Sequence, residues 1–294
     1  MRTPVLLLSL FAVTLGLPAG AAEAAEEIAY QGKLLLTGGV SSIEGAGGGG
    51  LATWAVTTGY ATRDGYGANL HATYIALPNF TLTSYGAAMG IRDRLELSYA
   101  RQSFDTGETG AKLGLGKGFT FDQDVVGAKL HVLGDAVYDQ DRWWPQVSVG
   151  VQYKHNGQAA VLHAVGARQA DGVDYYVAAT KLLLDRSLVL NEALRETRAN
   201  QTGLLGFGGD RSGGYALESE SSVGVMLSRR LVVGGEYRTK PDNLRFAREN
   251  DWWDLFAAYA LNKHVSATLA YVNLGDIATF RRQDGVYVSL QTGF

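Results

Sequence analysis

The stretch Gly285-Val-Tyr-Val-Ser-Leu-Gln-Thr-Gly-Phe294 decides how the rest of the chain is read. Val286, Val288, Leu290 and Phe294 share one parity, and Tyr287, Ser289, Gln291 and Gly293 share the other. A strand sends alternate side chains to opposite faces, so this segment is oily on one side and polar on the other. The same pattern recurs upstream. Val147, Val149, Val151 and Tyr153 oppose Gln146, Ser148, Gln152 and Lys154; Leu95, Leu97 and Tyr99 oppose Glu96 and Ser98. Val265, Ala267, Leu269 and Tyr271 form another oily row, as do Trp253, Leu255, Ala257, Tyr259 and Leu261. Each segment is about ten residues long, which is what a tilted strand needs to cross a bilayer.

Composition agrees with many strands. Gly is 38 of 294 residues, against a usual ~7%, Pro is only 5 and Tyr is 15. Charged residues are 19%, below the ~25% of soluble domains. The net charge of -3 argues against a nucleic-acid partner. Cysteine is absent, which excludes disulfides and thiolate metal sites and suits an oxidising compartment.

The amino terminus reads as a secretory signal over residues 1–22. Arg2 is the positive start, Val5–Leu17 is mostly apolar, Pro18 breaks it, and Ala19-Gly20-Ala21 offers small residues for cleavage near Ala21–Ala24. Residues 23–50 form a linker and a Gly-rich segment that includes a candidate first strand, Lys33–Val40. Gly47–Gly50 is a run of four glycines. That run reads either as a flexible connection or as a segment tucked inside a barrel, where only Gly fits close to a wall. Residues 51–294 are assigned to the barrel, beginning with a strand over Leu51–Tyr60 on the alternation of Ala52, Trp54, Val56 and Tyr60.

The expected fold is an all-β, closed antiparallel transmembrane barrel of about 14 strands, or about 12 if the doubtful segments are loops. Short and long connections mostly alternate, as when one end faces the periplasm and the other the exterior. A terminal aromatic residue such as Phe294 resembles the end of the closing strand in bacterial outer-membrane barrels. That resemblance implies lipids of the outer membrane and the barrel-insertion machinery as partners, and the outer membrane of a Gram-negative bacterium as the location.

Four blocks resemble a family of Gram-negative proteins known as a domain of unknown function: Gly32–Ala55 (GKLLLTGGVSSIEGAGGGGLATWA), Leu113–Leu130 (LGLGKGFTFDQDVVGAKL), Asp141–Lys154 (DRWWPQVSVGVQYK) and Ala199–Asp210 (ANQTGLLGFGGD). The resemblance implies membership over nearly the whole mature chain and imports no catalytic or binding residue.

Motifs that carry chemistry are few. Gly114-Leu115-Gly116-Lys117-Gly118 departs from a phosphate loop twice, with Ala111 for the first Gly and Gly118 for the Ser or Thr. His264 and Ser266 share a strand face and are similar in spacing to the pair of outer-membrane phospholipases, but their parity points inward, away from lipid. His71 and Thr73 read the same way. Asp122 and Asp124, and Asp135, Asp139 and Asp141, match no calcium loop. No cofactor, metal or catalytic residue is assigned. The inward parity carries charge of both signs, at Glu96, Lys129, Lys154, Glu236, Arg238 and Asp254, the candidate lumen charges. Together these features point to a passive channel for a small solute or a structural surface barrel. An outer-membrane lipid hydrolase and a soluble periplasmic β protein are the alternatives.

Overall fold

The computed structural model describes residues 33–38, 40–60 and 62–294; the signal assignment, 1–22, lies outside them. Twelve antiparallel strands close into one barrel, each paired with its neighbours in sequence and the last with the first. They are β1 (Tyr66–Ala76), β2 (Thr81–Ile91), β3 (Leu95–Asp105), β4 (Thr120–Leu133), β5 (Gln146–Asn156), β6 (Asp171–Leu183), β7 (Leu188–Thr197), β8 (Ala216–Ser228), β9 (Leu231–Arg238), β10 (Trp252–Ala260), β11 (Val265–Asn273) and β12 (Asp284–Gly293). An eleven-residue strand such as β1 spans roughly 36 Å along its axis at about 3.3 Å per residue, or about 25 Å of membrane at a tilt of about 45°.

The alternation of the sequence maps onto the wall. On β12, Val286, Val288 and Leu290 are exposed while Tyr287, Ser289 and Gln291 are buried. On β10, Leu255 is 62% exposed and its neighbour Asp254 only 2%. The outward side chains form an apolar belt. Toward the end with the longer loops it is edged by Tyr74, Tyr99, Tyr153, Tyr175, Tyr237 and Tyr271, all exposed. Three of their hydroxyls reach acidic partners at that edge: Tyr99 donates to Asp124 (2.7 Å), Tyr153 to Asp171 (2.8 Å) and Tyr237 to Asp251. A ring in the apolar belt with its hydroxyl in a polar layer is what a membrane interface favours.

Connections at the two ends differ. One end carries the turns at Arg92–Arg94, 184–187, Arg229-Arg230 and 261–264, plus the longer link at 134–145. The opposite end carries the loops 106–119, 157–170, 198–215, 239–251 and 274–283, with short helices at Gly107–Lys112 and Ala159–Ala164.

Two strands expected from the sequence are not strands. Lys33–Val40 holds a turn, and Leu51–Tyr60 runs through the lumen with every residue buried. The count is therefore twelve and not 14. The alternation of Ala52, Trp54 and Val56 does not belong to a strand of the wall. These side chains instead pack on Ala136, Val137, Leu182 and Val189 inside the barrel. A segment enclosed on all sides can bury alternate apolar groups without belonging to a sheet.

Candidate functional site

The site is built around residues 41–60, all buried. This segment makes almost no sheet of its own. Its only pairings among the described residues are isolated bridges, Ser41 with Gly47 and Gly48 with Thr53. Some of its amides bond within the segment, as Ile43 N does to the Gly50 carbonyl and Trp54 N to that of Gly47, and others find partners on the wall, because a buried peptide group without one costs free energy. Glycine makes that approach feasible. A Cβ at Gly49 would lie 1.7 Å from Glu236 Oε1, and one at Gly90 on β2 would lie 2.3 Å from the Thr58 carbonyl oxygen.

Acidic wall residues accept from the segment's amides. Glu96 accepts from Gly47 N (2.9 Å) and Thr58 N (2.7 Å). Glu236 accepts from Leu51 N (2.6 Å), and Glu220 from Thr53 N (2.8 Å). Lys129 Nζ donates to the carbonyls of Gly47 (3.0 Å), Trp54 (3.0 Å) and Val56 (2.7 Å), and sits 3.1 Å from Glu96. Trp54 Nε1 donates to Ser222 (2.9 Å), and Ala55 N to Thr180 (2.7 Å).

Glu44 is the only charged residue between Gly38 and Tyr60, and three cations converge on it. Lys154 donates to its carboxylate, Arg238 Nη1 lies 3.0 Å away and Arg195 Nη2 3.5 Å. Asp174 balances Lys154 (2.7 Å) and Arg195 (3.4 Å), and Glu220 balances Arg195 (2.5 Å) and Arg238 (3.3 Å). Three acids thus meet three bases, all buried. Such a network costs much desolvation, and only complete pairing repays it. Arg195 also lies over the Tyr176 ring at 5.1 Å.

The candidate lumen charges fall in three places. Lys154 and Arg238 join Glu44, Glu96 pairs with Lys129, and Glu236 and Asp254 are direct neighbours across adjacent strands. Glu44, Asp174, Arg195 and Glu220 were not singled out from the sequence. The last three were within reach of the same parity argument, because they alternate with Tyr175, Leu194 and Leu217 on the outer face. Glu44 offered one signal, its isolation in an otherwise uncharged, Gly-rich run.

The long-loop end is capped. Residues 198–215 fold inward as a turn at Asn200–Gly203, with Gln201 and Thr202 at positive φ. The Thr202 carbonyl accepts from Lys154 (3.2 Å) and Gln123 (3.2 Å). Gln201 N donates to Glu249 (2.9 Å), and Lys240 donates to Gln201 Oε1 (2.8 Å). Burial holds the Glu249 carboxyl up at about 7 and the Lys240 ammonium down at about 8. The cap corresponds to the block Ala199–Asp210, and the lumen segment to most of the block Gly32–Ala55.

The remaining motifs take up other positions. His264 lies in the turn before β11, with Nδ1 3.0 Å from the Gly293 carbonyl and its ring 5.5 Å from that of Phe294. Ser266 is buried on the inner face. Phe294 joins β1 to the lumen segment, since its carbonyl accepts from Tyr60 N (2.8 Å) and Ala68 N (3.2 Å). Asp122 and Asp124 pair with Arg101 at 3.5 and 2.9 Å. Asp135 caps the amides of Val137 and Tyr138. Among the described residues no group of three or more metal-ligating side chains is assembled. Lys117 pairs with Glu108 on the surface of its loop.

An apolar-belted, closed antiparallel barrel with a buried internal segment defines a transmembrane β-barrel class. The chain belongs to the family described as protein of unknown function (DUF3034), which matches residues 37–291, from the lumen segment to β12. No curated protein matches the chain. Among solved structures it is similar to the KdgM porin at 9% identity and a TM-score of 0.50, covering 77% of this chain and 99% of that one. An outer membrane channel from Pseudomonas putida F1 follows at 12% identity and a TM-score of 0.44, covering 78% and 94%. Outer membrane phospholipase A from Escherichia coli stands at 10% and 0.41, covering 77% and 92%. At these identities the likeness concerns the fold alone.

Proposed function

We propose that the protein is an outer-membrane β-barrel whose lumen is a path for small solutes, held shut by residues 41–60 and capped by 198–215. The observation that carries this reading is the way the lumen segment is fastened. Hydrogen bonds and ion pairs centred on Glu44 hold it to a polar wall, and such contacts can be exchanged for water if the segment moves. The apolar belt and its tyrosine edge support a membrane location, and the family's barrel fold is one that porins share. The inner wall carries both signs of charge, so an opened path would select weakly between anions and cations.

The test is single-channel conductance in planar bilayers, after refolding is confirmed by heat-modifiable gel mobility. The native chain is expected to be silent or to open rarely. Glu44→Ala, and separately a deletion of residues 41–58, are expected to give discrete, reproducible steps. Silence from both variants, correctly folded, would sink the channel reading and leave a closed structural barrel.

A further inference from the structure

Beside the lumen segment lies a cavity of about 710 Å³, within the range of about 300–1,000 Å³ typical of sites that enclose small molecules. Its wall is mostly apolar: Trp54 from the segment, Leu182 and Val189 from β6 and β7, Val232 from β9, and Phe256 and Ala258 from β10. At the short-turn end it is lined by Leu34 and Thr37 together with Leu184, Ser187 and Arg229. Strand direction places Asp254 deepest among the β10 residues that line it. Asp254 is 2% exposed, and its Oδ1 has no hydrogen-bond partner. A buried acceptor left unpaired costs free energy, which a donor arriving with a ligand would recover.

We propose that this cavity binds a single aliphatic chain ending in a hydrogen-bond donor, an alkyl alcohol or amine, with the donor on Asp254 Oδ1 and the chain along Phe256 and Ala258 toward the short-turn end. The chemistry sets a specificity. Asp254 alone of the carboxyl groups lines the cavity, with Glu236 beside it on the next strand held by Leu51 N and Ser222, so a fatty acid's carboxylate brought onto Asp254 Oδ1 would set acceptor against acceptor and is disfavoured there. The site does not depend on the lumen segment leaving, because Gly49, Gly50 and Trp54 form part of its wall as they stand.

The full chain in phospholipid nanodiscs provides the test, with Trp54 as reporter and a Trp54→Phe sample subtracted. The probes are 11-bromoundecan-1-ol, 11-bromoundecylamine and 11-bromoundecanoate, whose bromine quenches a touching indole. The alcohol and amine are expected to quench Trp54 saturably, and the acid to need at least tenfold more. Asp254→Leu should erase the preference over the acid. Ala258→Phe, which fills the cavity without touching a charge, should abolish saturable quenching and decides the matter if Asp254→Leu does not fold. Quenching that rises linearly and equally in native protein and Ala258→Phe would mean that the probe resides only in the bilayer, and would overturn the proposal. Equal affinity for the acid would overturn the assigned role of Asp254.

Discussion

The inner wall is built in two ways. Over β3 to β8 the wall sends long charged residues inward, Glu96, Lys129, Lys154, Asp174, Arg195 and Glu220, which pair with one another and hold Glu44 or the amides and carbonyls of the lumen segment. Over β10 and β11 the inward residues Phe256, Ala258 and Ala270 line the cavity, Phe256 and Ala258 sharing an apolar cluster with Leu35, Leu36 and Val40, and Asp254 Oδ1 and Thr268 Oγ1 stay unpartnered. The first sector spends its inner surface on holding its own chain. The second leaves room beside it.

Breaking the polar sector should have the largest effect. Glu44→Ala leaves Lys154, Arg195 and Arg238 facing one carboxylate fewer, and removal of one partner from a buried ionic group costs about 3–5 kcal/mol. Urea titration of the barrel in phospholipid vesicles, followed by gel mobility, should show a lower midpoint for Glu44→Ala than for the native chain. An unchanged midpoint would mean that the network contributes nothing to holding the segment.

A steric change should rank next. Gly90→Ala drives a methyl group into the Thr58 carbonyl, and overpacking of this kind costs roughly 1–3 kcal/mol. Gly214→Ala, with nothing within 4 Å of the added group, is the matched control and should leave the midpoint in place. Equal shifts for the two would refute the close fit between wall and segment.

The apolar sector should respond in the opposite direction. Thr268→Val keeps the shape and removes an unpartnered buried hydroxyl, so it should be neutral or raise stability by about 1 kcal/mol. A clear loss would show that the hydroxyl is in fact bonded, and would weaken the contrast between the sectors.

The cap should respond locally, and to pH rather than to packing. Glu249 is raised from 4.5 to about 7, so its contribution is full below 4.5 and is lost as pH rises through 7. Lys240 is lowered from 10.5 to about 8, so its contribution is full above 10.5 and is lost as pH falls through 8. The cap should therefore open most readily between about pH 7 and 8. Hydrogen-exchange protection of residues 200–206 should rise on both sides of that window. Glu249→Gln should flatten the acid limb only, and Lys240→Met the alkaline limb only.

The sequence by itself determined the wall. Strand parity is a local property, so Val286 and Tyr287, or Leu255 and Asp254, could be assigned to opposite faces without knowing what either face met. Turn chemistry and length then separated the two ends. The inside was decided by tertiary structure. Leu51–Tyr60 carries the same alternation as a strand, and nothing local says that its neighbours are the walls of a barrel on every side. The convergence of Lys154, Arg195 and Arg238 on Glu44 joins residues more than a hundred positions apart in the chain. Closure alone brings them together, because only when β12 pairs with β1 does the lumen become narrow enough for one glutamate to reach three strands.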